Sequence, residues 1–158
     1  MDQKALDPAT VWQEDSAIWQ IIAGELVVQH RDAVSHDPAA LMRRAREQAA
    51  EAATLVEAGD RNHAGHALIG CALALAIAAR LQSEDPTPIE HYASELAAAV
   101  SWQSAEPSPP AIAELAGMLE GTHDGDLPTL WEVAVRAGAY ASGLSRYIVR
   151  RRERRDLV

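Results

Sequence analysis

The sequence predicts an all-α protein: a single-domain bundle of about six helices around a buried central helix at about 60–82. Three observations predict it. The stretch Ala64–Ala79, AGHALIGCALALAIAA, contains no Asp, Glu, Lys, Arg or Pro. A helix that is apolar on every side must be buried on every side, because a surface helix keeps a polar face. The run is also shorter than the roughly 20 residues needed to cross a bilayer, so it reads as the core helix of a soluble domain. Second, Pro and Gly recur where helices start and stop. Third, no stretch shows the apolar/polar alternation of a half-buried strand.

The first helix starts at Asp7-Pro8, a capping residue followed by Pro at the first helical position. Trp12, Trp19 and Leu26 recur at heptad spacing with Val11, Ile18 and Ile22 beside them. This face is expected to be at least partly buried, and the helix to run to about His30. Asp37-Pro38 repeats the start signal. Leu41, Ala45, Ala49, Ala52, Leu55 and Val56 form the apolar stripe of the second helix, and Arg43, Arg44, Glu47 and Glu51 its wet face. Gly59 suits the left-handed residue that ends it. Asp60 caps the third helix, which ends near Leu81 or Gln82, with Leu68, Cys71, Ala72, Leu75 and Ala79 expected to lack solvent access.

Thr87-Pro88-Ile89-Glu90 matches a capping box with Pro at the first position, and opens a fourth helix through Ile89, Tyr92, Ala93, Leu96 and Val100. Residues 103–110, QSAEPSPP, read as a stiff connector. A short fifth helix carries Ile112, Leu115, Ala116 and Leu119 and stops at Gly121. After the loop THDGDLP, Asp126 or Thr129 opens a long last helix. Ala134, Ala137, Gly138, Ala141 and Ser142 give it a seam of small residues for close packing. A basic helix end or tail follows at about 146–158, where the helix dipole favours positive charge.

With 158 residues the chain fits one domain, residues 1–158, large enough to bury a core. Aromatics are only 4% and Phe is absent, so the bulk must come from Leu, Ile, Val and four Trp between many Ala. The net charge of −9 is uneven. Met1–Ser145 holds 8 Lys and Arg against 21 Asp and Glu, a net −13. Arg146–Val158 holds 6 Arg against 2 acids, a net +4. An acidic body argues against a broad nucleic-acid-binding face. The one cysteine, Cys71, lies in the apolar run and is expected to be an inert small hydrophobe. One thiol forms no intramolecular disulfide, so a cytoplasmic location is expected. Residues 1–16 carry four acids and no continuous apolar core, so no signal peptide is expected. An Ala- and Arg-rich chain with one Lys points to a high-GC bacterial source.

Two short resemblances bear on function. Glu51–Leu81 resembles a helical hairpin of the tetratricopeptide kind, with its Ala-Gly-Asp turn and Ala-rich return helix. The return helix is longer than that repeat's, and no second copy follows at about 34 residues, so the family is not assigned. Arg61-Asn62-His63-Ala64-Gly65-His66 resembles the R-N-x-x-x-H signature of HEPN-type ribonucleases, which are also all-helical. The resemblance implies that Arg61 and His66 form a catalytic pair near a dimer interface and promote attack by an RNA 2′-hydroxyl. His handles the proton and Arg steadies phosphate charge. Leu68 stands where many members of that family have Tyr, and Arg31 to His36 repeats the R-x-x-x-x-H spacing in this same chain.

Glu57, Asp60, His63 and His66 are weak candidates for a divalent metal, since His63 and His66 share a helix face at i, i+3. No second ligand pair is recognisable, so no metal and no cofactor is assigned. Phosphate-binding Gly-rich loops, nucleotide fingerprints and nucleophile motifs are absent from the sequence. In the basic tail, Arg150, Arg151, Arg152, Arg154 and Arg155 are candidate partner-binding residues, for acidic partners, phosphates or anionic lipid, or for the acidic body of this chain or of a second copy, beside the ordinary reading as a solvated helix end. The adopted reading is a non-enzymatic interaction or regulatory protein that binds another protein or itself. The alternative is a metal-independent ribonuclease using Arg61 and His66. A third reading is a small-molecule-binding bundle with room beside Gly65 and Gly70.

Overall fold

The structure, a computed structural model, describes residues 18–33, 38–84, 86–102, 106–120 and 127–156. They form six helices and, among the described residues, no strand: α1 (Ile18–Ala33), α2 (Pro38–Glu57), α3 (Arg61–Ser83), α4 (Ile89–Trp102), α5 (Pro109–Glu120) and α6 (Leu127–Asp156). The protein is therefore an all-α helical bundle. α2 and α6 each pack along α3, α1 lies chiefly on α4, and α5 chiefly on α2. Buried apolar residues from all six helices join in one cluster.

The central helix is where its lack of charge places it. Thirteen residues of α3 are buried, including Leu68, Cys71, Ala72, Leu75 and Ala79. Its bounds agree with the expected 60–82, and it is the uncharged run alone that falls short of the helix's full length. Flanking residues at both ends extend the uncharged run to a helix of 23 residues, long and apolar enough to cross a membrane by length and composition. Length thus does not rule out a span. What sets α3 apart from one is that 78% of its most apolar window is buried inside the fold. No other helix among the described residues meets the same measure.

The α2–α3 turn follows from two residues. Gly59 takes a positive φ of 85°, a backbone state that costs a residue with a Cβ. Its N–H donates to Val56 O at 3.2 Å, and the Asp60 N–H donates to Leu55 O at 2.9 Å. These two bonds make a complete Schellman motif. Asp60 then caps α3 at once, its carboxylate accepting the His63 N–H at 3.2 Å. One short link thereby ends one helix and starts the next.

α5 begins earlier than the sequence reading places it. Its first residue is Pro109, inside the expected connector, because Ser108 is a cap: Ser108 Oγ accepts the Ala111 N–H at 3.3 Å. Pro109 and Pro110 sit where a helix has no use for an N–H. Ser108-Pro109 is thus the same signal as Asp37-Pro38. The seam on α6 packs as expected, with Ala134, Ala137, Ala141 and Ser142 buried. At Gly138 a Cβ would lie 2.7 Å from Val100 Cγ2 and 3.4 Å from Ile22 Cδ1. α6 therefore approaches Val100 of α4 more closely than a Cβ allows, while Ile22 of α1 stands at ordinary contact distance. The expected start of the first helix at Asp7-Pro8, and the side chains of Trp12 and Trp19, lie outside the described residues.

Candidate functional site

Three places carry the chemistry-bearing side chains. The first is the start of α3. Asp60 Oδ2 lies 2.7 Å from His63 Nδ1, on an exposed edge of the α2–α3 turn. The His63 backbone N–H is the larger cause that holds the Asp60 carboxyl below its usual 3.8, followed by the His63 side chain. Arg61 is the first residue of α3 and partly exposed, and His66 is exposed one turn on. Burial of part of its ring, then the charge of His63, lowers the His66 pKa below 6.5. A neutral imidazole at pH 7 can accept a proton. On one continuous helix, residues five apart point about 140° apart around the axis, so Arg61 and His66 leave α3 on different sides.

The four metal candidates do not gather. Glu57 is the exposed last residue of α2, and only Asp60 and His63 pair. Among the described residues no three His, Cys, Asp or Glu side chains come together in a metal-binding group. His91 finds its carboxylate not in adjacent Glu90 but in Glu95, one turn along α4, at 3.2 Å.

A second place, at the other end of α3, was not foreseen. Arg80 is the first charge after the uncharged run. Its guanidinium lies over the Tyr92 ring, 5.1 Å from the ring centre, and its Nε donates to His30 Nε2 at 3.3 Å. Tyr92 in turn donates its hydroxyl to Ala76 O at 2.7 Å and tilts against Trp131, with ring centres 5.4 Å apart. Four helices, α1, α3, α4 and α6, meet through these side chains. One more signal was available: a lone Arg in the last turns of a helix that must be buried needs a partner from elsewhere. The identity of that partner was not in the local sequence.

The third place is the basic end of α6. The helix continues without a break to Asp156, so Arg150, Arg151, Arg152, Arg154 and Arg155 belong to one helix with the core residues Leu130 to Leu144. Their side chains lie outside the described residues.

Two further residues settle by burial. Cys71 is fully buried, and desolvation pushes its thiol up to about 12, so it stays protonated and unreactive at neutral pH. The room beside Gly70 is taken: a Cβ there would fall within 2.7 Å of the Gln48 amide group of α2. Gly65 is buried as well. Comparison with known protein families, with curated proteins and with solved structures gives no match to this chain.

Proposed function

We propose that this is a cytoplasmic interaction protein that binds an acidic protein partner, or the acidic body of a second copy, through the basic end of α6. The observation that carries the reading is the continuity of α6 from the core into the Arg run, set against a body of net −13. A charged helix anchored in a folded core presents its charge with less ordering cost than a free tail. Opposite potentials steer encounter and fix orientation. Such binding weakens with salt, since the screening length falls from about 10 Å at 0.1 M to about 3 Å at 1 M.

The test is sedimentation of the full chain and of a variant with Arg150, Arg151, Arg152, Arg154 and Arg155 all changed to Gln. Self-association that fades between about 0.1 M and 1 M salt, and fades equally in the variant, supports binding to a second copy. A protein that is monomeric throughout directs the reading to a different acidic partner. Association unaffected by both salt and the five replacements refutes the role of the helix end.

A second reading keeps one specific observation in its favour. His66 is exposed, and its lowered pKa suits a general base, with the cation Arg61 on another side of the same helix start. Under this reading a metal-independent ribonuclease would use the pair, with the RNA reaching both sides of the helix start or a second copy completing the site. The acidic body repels RNA, and the expected result is no cleavage of single-stranded RNA in the presence of a chelator. Cleavage that disappears in both Arg61→Ala and His66→Ala, with helical content unchanged, would install this reading instead.

A further inference from the structure

We propose that the His30–Arg80 contact is a proton-operated latch that holds the C-terminal half of α1 on α3 and releases it when His30 gains a proton. The geometry requires a neutral ring. Arg80 Nε donates to His30 Nε2, so Nε2 must be the unprotonated acceptor and the ring proton must sit on Nδ1. A protonated His30 has no acceptor left, and two cations then face each other at 3.3 Å. Arg80 cannot give way by losing its own charge. Its swing is restrained because its guanidinium is stacked on Tyr92.

Among the described residues no carboxylate compensates: the charges acting on His30 come from Arg80 alone, and Glu84, at the end of α3, is exposed. On α1, Glu25 and Arg31 are exposed. On α3, the group that faces His30 is Arg80 itself. On α4, Tyr92 is committed to Ala76 O, Glu90 is exposed, and His91 and Glu95 pair with each other at the surface. On α6, the neighbour is the uncharged ring of Trp131, beside Tyr92, while Glu132 and Arg136 are exposed and Tyr140 is buried. Burial first and the Arg80 charge second lower the His30 pKa below 6.5, in the direction the geometry demands. The folded protein then binds fewer protons than the unfolded chain. The contribution is complete above pH 6.5 and is lost as pH falls from 6.5 toward the lower folded value. What the latch covers is apolar: Leu26, one turn before His30 on the same helix, has no solvent exposure.

The experiment uses the full chain. Histidine ring titration by NMR is expected to place His30 below 6.5, and to move it upward in Arg80→Met. Amide exchange, corrected for its intrinsic pH dependence, is expected to show α1 losing protection at pH 5.5 relative to 7.5. The loss at pH 5.5 should be severalfold and bounded at about tenfold, because that pH lies one unit below 6.5, and larger than in α2. His30→Gln offers an acceptor that does not titrate and should abolish this difference, while His66→Gln, changing the other histidine with a lowered pKa, should leave it. A His30 that titrates at or above 6.5, or an α1 equally protected at both pH values, overturns the latch. If His30→Gln fails to fold, the titration and exchange of the unaltered protein still decide the matter.

Discussion

The close crossing of α6 on α4 can be tested with one methyl group. Gly138 lies in α6, and a Cβ there would meet Val100 Cγ2 at 2.7 Å and Val100 Cγ1 at 3.4 Å. Ordinary carbon contacts lie at about 3.5–4.0 Å, so Val100 would have to retreat by about 1 Å. It has little freedom to do so: it is buried, and a valine in a helix keeps essentially one rotamer. Gly138→Ala gains about 1 kcal/mol of helix propensity and loses about 1–3 kcal/mol to overpacking. The net expectation is a loss of roughly 0–2 kcal/mol. Val100→Ala alone removes both offending carbons and costs about 1–3 kcal/mol through lost burial and a cavity. In that background the methyl at 138 enters vacated space, and Gly138→Ala should become stabilising by about 1 kcal/mol. Ile22 Cδ1, at 3.4 Å, is the end of a longer side chain and can turn aside. Urea unfolding of the four proteins measures the cycle, with an expected coupling of about 1–3 kcal/mol in favour of the double variant. Additivity within about 0.5 kcal/mol, or a stabilising Gly138→Ala in the unaltered background, would refute the packing assigned to this crossing.

Ala72→Asp places an unpaired carboxylate at a fully buried position of α3. Several kcal/mol of desolvation against a total stability of about 5–15 kcal/mol should remove most of the folded population. Circular dichroism checks this, and a fully helical, soluble variant would falsify the central role of α3. Gly24→Ala, at an exposed helical site with no atom within 4 Å of the new methyl, should raise the urea midpoint through a gain of about 0.5–1 kcal/mol; a lowered midpoint would count against the open face of α1. Asp60, whose carboxyl is held below 3.8 by the His63 N–H and then by the His63 side chain, stabilises the start of α3 fully above pH 3.8. That contribution is lost as pH falls through its lower folded value. Asp60→Asn keeps an acceptor for the cap and should flatten this part of the acid unfolding curve, and an unchanged curve would show that the cap is not what titrates.

Local chemistry is what the sequence by itself determined. The missing charges of Ala64–Ala79 required a buried helix whatever surrounds it, because no arrangement lets such a surface face water at low cost. Gly59 and Asp60 specified their turn within a few residues, since a left-handed backbone and a cap depend on neighbours in the chain. Ser108-Pro109 holds the same information, but inside a Pro-rich string it reads as connector. Candidate residues at the start of α3 were legible as residue types in a helical turn. Their separation around the axis is implied by the same reading, since a cap at Asp60 puts Arg61 and His66 five apart on one helix. Tertiary structure decided the rest. That Gln48 fills the space at Gly70, that Val100 meets Gly138, and that Arg80 rests on Tyr92 and reaches His30 are contacts between residues 12 to 50 positions apart. Packing between helices is set by shape and volume summed over the whole core, and no short window of sequence contains that sum.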